Sequence, residues 1–135
     1  MAVDVWIDAN VILRYLLRDH EGLFDEASRV MAAAEHGEVN LHLASLTVAE
    51  LVWVLDSFYG YPREEVVRVV ESFATADGVI PEEREIILQA LSDYAALNVD
   101  FIDAYLAAKA SAGGRPVCTF DTKDFTRLPV ARFSL

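Results

Sequence analysis

The sequence predicts an α/β fold, a three-layer α/β/α sandwich in which helices flank a mainly parallel sheet. Short apolar runs typical of buried strands alternate with longer segments of helical periodicity. Hydrophobic residues make up 54% of the chain, which favours an ordered core over a disordered acidic segment. No repeat or Pro/Gly-rich linker divides the chain, so we expect residues 1–135 to form one domain.

Six helices are predicted, and a residue at one end supports five of them. Asn10 is suited to cap the first helix, and Gly37 is placed to end the second. Pro62 and Pro81 lie at the first turns of the fourth and fifth, where proline is tolerated. Asp100 is suited to cap the sixth. The predicted helices span residues 10–18, 23–36, 45–58, 63–76, 81–97 and 101–112.

Five short strands are predicted between and around these helices. Each is a brief apolar run, and strands that alternate with helices pair in parallel through right-handed crossovers. Trp6, Trp53 and Cys118 are expected to pack in the core, although Trp53 could instead belong to a partner surface with nearby aromatic residues. The predicted strands span residues 3–8, 39–43, 79–80, 116–120 and 131–135.

Four acidic residues lie in apolar surroundings where solvated charge is unexpected. Asp8 and Asp121 end predicted strands, and Glu50 and Asp103 are enclosed by apolar residues of predicted helices. We therefore expect all four to be buried, and a buried carboxylate is costly unless it is paired or binds a metal. Ligands of parallel sheets gather at the carboxyl ends of strands. Oxygen ligands suit Mg²⁺ or Mn²⁺, so the pattern predicts a hard-cation site for phosphate chemistry.

Each of these acids also has a structural alternative. Asp8 could cap the following helix, Glu50 could form a capping box with Thr47, Asp103 could be a favourable first-turn acid, and Asp121 could head a turn. Taken together they favour a metal, because two carboxylates ~5 Å apart repel by roughly 3 kcal/mol at an effective dielectric of about 20. A divalent cation removes that repulsion.

The cysteine count, the hydropathy and the net charge limit the compartment and the partners that we expect. The only cysteine is Cys118, which excludes an intramolecular disulfide and fits a reducing cytoplasm. We expect no membrane span and no secretory signal. The net charge of −11 would make unaided affinity for nucleic acid modest and would suit a basic protein partner.

The four acids lie in four short segments spread over nearly the whole chain. The segments are Ile7-Asp8-Ala9-Asn10-Val11-Ile12-Leu13, Thr47-Val48-Ala49-Glu50-Leu51, Phe101-Ile102-Asp103-Ala104 and Thr119-Phe120-Asp121-Thr122-Lys123-Asp124-Phe125. They resemble, in the family's order, the motif blocks of PIN-domain ribonucleases, and more narrowly of VapC-type toxins from toxin–antitoxin pairs.

The resemblance implies cleavage of single-stranded RNA that depends on Mg²⁺ or Mn²⁺, in which a bound ion activates water for attack on phosphorus. It also implies a homodimer and a cognate antitoxin with a basic C-terminal segment. By position, the family's catalytic and metal-binding acids are Asp8, Glu50, Asp103 and Asp121. Asn10 and Thr119 match auxiliary polar positions.

Further residues near these acids are candidates for supporting roles. Asp124 could be a peripheral ligand, with a solvated turn as its alternative. Three basic residues follow acidic positions closely enough to contact RNA phosphates, although a solvated or ion-paired surface role is the default for each. They are Arg14, Lys123 and Arg127.

Three other functions compete with this interpretation. An aspartate-based phosphatase needs a second acid two residues after Asp8, but Asn10 stands there and cannot transfer that proton. A receiver-like regulatory module would carry an acidic pair at its first strand, which this chain lacks. A PIN-domain nuclease that processes RNA without a toxin role remains compatible with the motifs.

Overall fold

Three parallel strands form the sheet, in the order β1-β2-β3: β1 Val3–Trp6, β2 Val39–Leu43 and β3 Val79–Pro81. The computed structural model describes residues 1–135. Val3 pairs with Val39, and Leu41 pairs with Val79, so both crossovers return the chain in the same direction. The predicted parallel α/β fold is confirmed.

Seven α-helices surround the sheet, and a π-helical turn, Val54–Phe58, continues the third of them. None of the helices combines the length and the apolar character that crossing a bilayer requires. The helices are α1 Ala9–Leu17, α2 Glu21–Glu35, α3 Ser45–Trp53, α4 Arg63–Ala74, α5 Arg84–Ala96, α6 Phe101–Ala112 and α7 Asp124–Arg127.

Helix starts agree with the sequence at α3, α4 and α6, and differ by one to three residues at α1, α2 and α5. Asp100 caps α6 as predicted. The cap position of α1 is occupied by Asp8, so the prediction of an Asn10 cap is wrong. Helix α3 begins after Ala44, which places Thr47 inside the first turn. A capping box requires Thr47 at the cap, so that alternative for Glu50 is excluded.

The predicted strands at residues 116–120 and 131–135 do not form. Only Val117 pairs, in an isolated parallel bridge with Arg132. The physical reason is that the apolar run buries one side chain, Val117, while Cys118 and Phe120 are exposed. Strand β1 is therefore at the edge of the sheet, and Asp121 lies in a loop.

A cluster of 27 buried residues forms the core, largely from the inner faces of the helices and from β2. The prediction that both tryptophans and the cysteine are core residues is wrong. Trp6 on the edge strand is 64% exposed, and Trp53 on the outer face of α3 is 63% exposed. Cys118 is also exposed. Phe58 is exposed as well, which agrees with the alternative that Trp53 belongs to a partner surface.

Candidate metal centre

Three carboxylates converge where the start of α6 lies beside the start of α7. Asp103, Asp121 and Asp124 each contribute one oxygen atom, and these atoms all lie within 4.8 Å of one another. Asp103 is in the first turn of α6, Asp121 is in the loop before α7, and Asp124 is the first residue of α7. We call these three residues the acidic cluster.

The capped start of α6 fixes Asp103. The Asp100 carboxylate accepts hydrogen bonds from the backbone amides of Ile102 at 3.1 Å and Asp103 at 3.4 Å. Phe101 and Ala104 are buried on either side of Asp103 along the chain, which sets the rotation of the helix. The Asp103 side chain is consequently held at the surface of the core, half-buried.

A hydrogen-bonded turn fixes Asp121. Its backbone amide donates to Thr119 Oγ1 at 2.9 Å, and its Oδ1 accepts from the amides of Lys123 at 2.9 Å and Asp124 at 3.1 Å. The alternative that Asp121 heads a turn is therefore confirmed. This role is compatible with metal binding, because the turn uses only Oδ1 and no protein group donates to Oδ2.

Asp124 joins the two segments of the cluster. It is 8% exposed, and its Oδ2 accepts a hydrogen bond from the backbone amide of Asp100 at 3.1 Å. The neighbouring Phe125 is buried and anchors α7 in the core. The start of α6 and the start of α7 are thus tied directly to each other.

Two carboxyls of the cluster, Asp103 and Asp124, have shifted pKa values with different main causes. Burial raises the pKa of Asp103 to about 6, helped by its hydrogen bond with Asp124 and by the charges of Asp100, Asp124 and Asp121. The pKa of Asp124 is lowered, chiefly by the backbone amide of Asp100. Lys123 also lowers it through its charge. A cluster of oxygen donors that repel one another has the chemistry that a hard divalent cation requires.

Asp8 and Glu50 lie outside the acidic cluster. Asp8 occupies the cap position of α1 without making a side-chain cap, and Glu50 is on the exposed face of α3. The expectation that all four predicted acids are buried is wrong for Asp8, Glu50 and Asp121, which are exposed. Apolar neighbours in sequence misled that expectation, because in a helix or at a strand end they point elsewhere.

Of the residues predicted to support the site, two basic residues lie near the acidic cluster, and two others, Arg14 and Asn10, are engaged or exposed elsewhere. Lys123 and Arg127 lie close enough to the cluster for their charges to lower the pKa of Asp124. Arg14 is instead paired with Asp19 at 3.0 Å. Asn10 is exposed near the start of α1 and borders a cavity between α1 and α2.

Comparison with known families identifies the fold around this cluster. A family model described as PIN domain matches residues 5–131. This chain belongs to the PIN domain family. Among solved structures it is similar to the crystal structure of VapBC2 from Rickettsia felis bound to a DNA fragment from their promoter. That match has 14% sequence identity and a TM-score of 0.38, and it covers 98% of each chain. No curated protein matches the chain in sequence.

Sequence reasoning underestimated one residue of this PIN domain. Asp124 was predicted as peripheral or solvated, whereas it is buried and belongs to the acidic cluster. The only local signal for Asp124 is the apolar Phe125 beside it, and its burial follows from the contact with the Asp100 amide, which is distant in sequence.

Proposed function

We propose that this PIN domain, as one domain over residues 1–135, is an endoribonuclease that depends on Mg²⁺ or Mn²⁺. The observation that carries the proposal is the convergence of three carboxylates within 4.8 Å. PIN domains are generally nucleases that use divalent metal ions, and the donor set of the cluster fits such an ion.

Some residues of the site are assigned to ion binding, and others to orienting the ligands. Asp103, Asp121 and Asp124 would hold the ion. Asp8, at the cap of α1, and Glu50, on α3, lie outside the cluster and would complete the ligand set by turning toward it. A divalent ion in this position supplies Lewis-acid activation of water and stabilises negative charge on phosphate oxygens. Thr119 holds the backbone of Asp121 through its hydroxyl, which keeps that carboxylate directed at the cluster.

The RNA backbone contacts the positive charges beside the cluster. Lys123 and Arg127 lie near Asp124, so they are the cations best placed to bind phosphates of an RNA strand at the cluster. Arg14 contributes only if it leaves Asp19. Asn10 orients a ligand or a water molecule near Asp8. The net charge of −11 keeps overall affinity for RNA modest, so these few cations determine where the strand binds.

We further propose that the protein is the toxin of a type II toxin–antitoxin pair and acts in the cytoplasm as a homodimer. The four motif blocks support the toxin assignment, and the acidic surface suits an antitoxin with a basic C-terminal segment. Exposed apolar side chains on α3, on the turn that follows it and on α6 support self-association. They are Leu46, Trp53, Phe58, Ile102 and Leu106.

Cleavage of a fluorescently labelled single-stranded RNA tests the nuclease proposal. The wild-type protein should cut the RNA in MnCl₂ or MgCl₂ and lose activity in EDTA. Asp103→Asn should reduce the rate by at least about a hundredfold, the upper end of the loss for groups that only orient metal ligands, because it removes a charged ligand of the ion that activates water. Asp77→Asn is the matched control, because Asp77 is exposed and outside the cluster. Equal cleavage by Asp103→Asn and wild type would refute the assignment.

Co-expression tests the toxin assignment separately. A small reading frame beside this gene, encoding a DNA-binding N-terminus and a basic tail, should suppress the growth arrest that this chain causes alone. The complex should weaken as salt rises, because charge attraction contributes to it. Growth that is unaffected by this chain would contradict the toxin role and leave the nuclease proposal intact.

A further inference from the structure

One carboxylate, that of Glu83, receives hydrogen bonds from two different helices. Ser45 Oγ donates to its Oε1 at 2.6 Å, and Tyr105 Oη donates to the same oxygen at 2.5 Å. The Lys109 ammonium donates to Oε2 and forms a salt bridge. Ser45 is the first residue of α3, and Tyr105 and Lys109 are on α6. Glu83 therefore connects α3 to α6.

The beginning of α3 depends on this connection. Its cap residue is Ala44, whose side chain cannot accept a hydrogen bond, so the helix has no cap of its own. Glu82 Oε1 accepts the backbone amide of Ser45 at 3.2 Å instead. Ser45 is 8% exposed, so its hydroxyl needs the partner that Glu83 provides. Glu82 and Glu83, which precede α5, thus take the place of an N-cap residue for α3.

The connection is strong because Glu83 stays charged. Lys109, Ser45 and Tyr105 together lower the pKa of Glu83 to about 2. Its side chain is 17% exposed, so solvent competes little for these hydrogen bonds. A charged, multiply bonded carboxylate between two helices restricts how they slide or rotate against each other.

We propose that Glu83 is a positioning residue that fixes α3 and α6 relative to each other, and thereby Glu50 relative to Asp103. Glu50 lies five residues after Ser45, and Asp103 lies two residues before Tyr105. Each of these acids is therefore carried by a helix that Glu83 holds. The inference rests on the proposed function, in which both acids bind the same ion.

The acidic cluster itself does not depend on Glu83. Asp103, Asp121 and Asp124 are arranged by hydrogen bonds from Asp100 and within the turn before α7. Loss of Glu83 should consequently affect the contribution of Glu50 to metal binding and spare that of Asp121. This difference separates a positioning role from a general contribution to stability.

Calorimetric titration with Mn²⁺ tests the proposal in a double-mutant cycle. Glu83→Gln keeps an oxygen for Ser45 and Tyr105 but removes the charge that holds Lys109. It should weaken Mn²⁺ binding by about tenfold, the lower end of the range for groups that orient ligands. In a Glu50→Gln background it should have little further effect, whereas in an Asp121→Asn background its tenfold effect should persist.

The control is Glu65→Gln, which breaks a salt bridge with Arg68 on α4 and should leave Mn²⁺ affinity unchanged. Unchanged affinity of folded Glu83→Gln would overturn the proposal, even if its melting temperature falls. An effect of equal size with and without Glu50 would also overturn it. If Glu83→Gln does not fold, Lys109→Met replaces it in the titration, because it removes one of the donors to Glu83. The same results then support or overturn the proposal. Wild type that binds no Mn²⁺ would refute the proposed metal site, a result distinct from failure of Glu83→Gln alone.

Discussion

Asp121→Asn should make the metal-free protein more stable while weakening its response to metal. The substitution removes one negative charge from the acidic cluster but retains Oδ1 as an acceptor. The amides of Lys123 and Asp124 can therefore keep their hydrogen bonds to this side chain. The turn is preserved, so the main change is electrostatic.

The distance within the cluster sets the size of the effect. At 4.8 Å, two unit charges repel by about 1 kcal/mol in water and by about 3 kcal/mol at an effective dielectric of 20. Asp121 is exposed, so the lower figure applies to each of its two neighbours. Loss of the charge also weakens the two amide hydrogen bonds to this side chain, so we expect a net gain of about 1 kcal/mol in the free energy of unfolding, or about 3 to 4 °C in melting temperature.

Saturating metal should reverse the order of stability. A wild-type protein at a hundredfold excess of Mn²⁺ over its Kd gains about 2.7 kcal/mol, whereas a variant with a hundredfold weaker Kd gains only about 0.4 kcal/mol. Thermal unfolding in EDTA and in MnCl₂ measures both values, with Asp77→Asn as the control. The reasoning is refuted if Asp121→Asn is less stable than wild type in EDTA and gains equally from Mn²⁺.

Two further predictions concern pH and packing. The pKa of Asp103 is raised from 3.8 to about 6 in the folded metal-free protein, so between these pH values the folded state binds more protons than the unfolded state. The unfolding free energy of the wild type should therefore fall as pH rises from about 4 to about 6, whereas that of Asp103→Asn should lack this contribution. Urea titrations that show a rise would contradict this. Gly78→Ala would place its Cβ 2.5 Å from the Ala34 carbonyl oxygen, whereas Gly37, also at positive φ, faces open space. Gly78→Ala should therefore cost about 1–3 kcal/mol more than Gly37→Ala, and equal losses in the same titration would show that the approach to Ala34 is unimportant.

The sequence predicted helices better than strands, for a local reason. Helix α6 has a strong cap at Asp100 and a glycine pair after its end, and both signals act within one turn. The segment 116–120 has no such local signal. A strand needs a partner elsewhere in the chain, and here only Val117 has one.

The candidate site was predictable in its residue types and only partly in its geometry. Asp103 and Asp121 were singled out by their surroundings, and they do lie together. The burial of Asp124 depends on a turn that brings it to the amide of Asp100, which is 24 residues away in sequence. Such long-range contacts leave no periodic pattern, so neither this contact nor the exposure of Asp8 and Glu50 could be inferred from neighbouring residues.

Anomalous scattering from a crystal soaked in MnCl₂ tests the metal site most directly. We expect one strong peak within about 2.5 Å of carboxylate oxygens of Asp103 and Asp121, with Asp8 and Glu50 turned toward the same ion. A crystal in which the acidic cluster binds no manganese, while Asp8 and Glu50 stay outside it, would contradict the proposed nuclease centre.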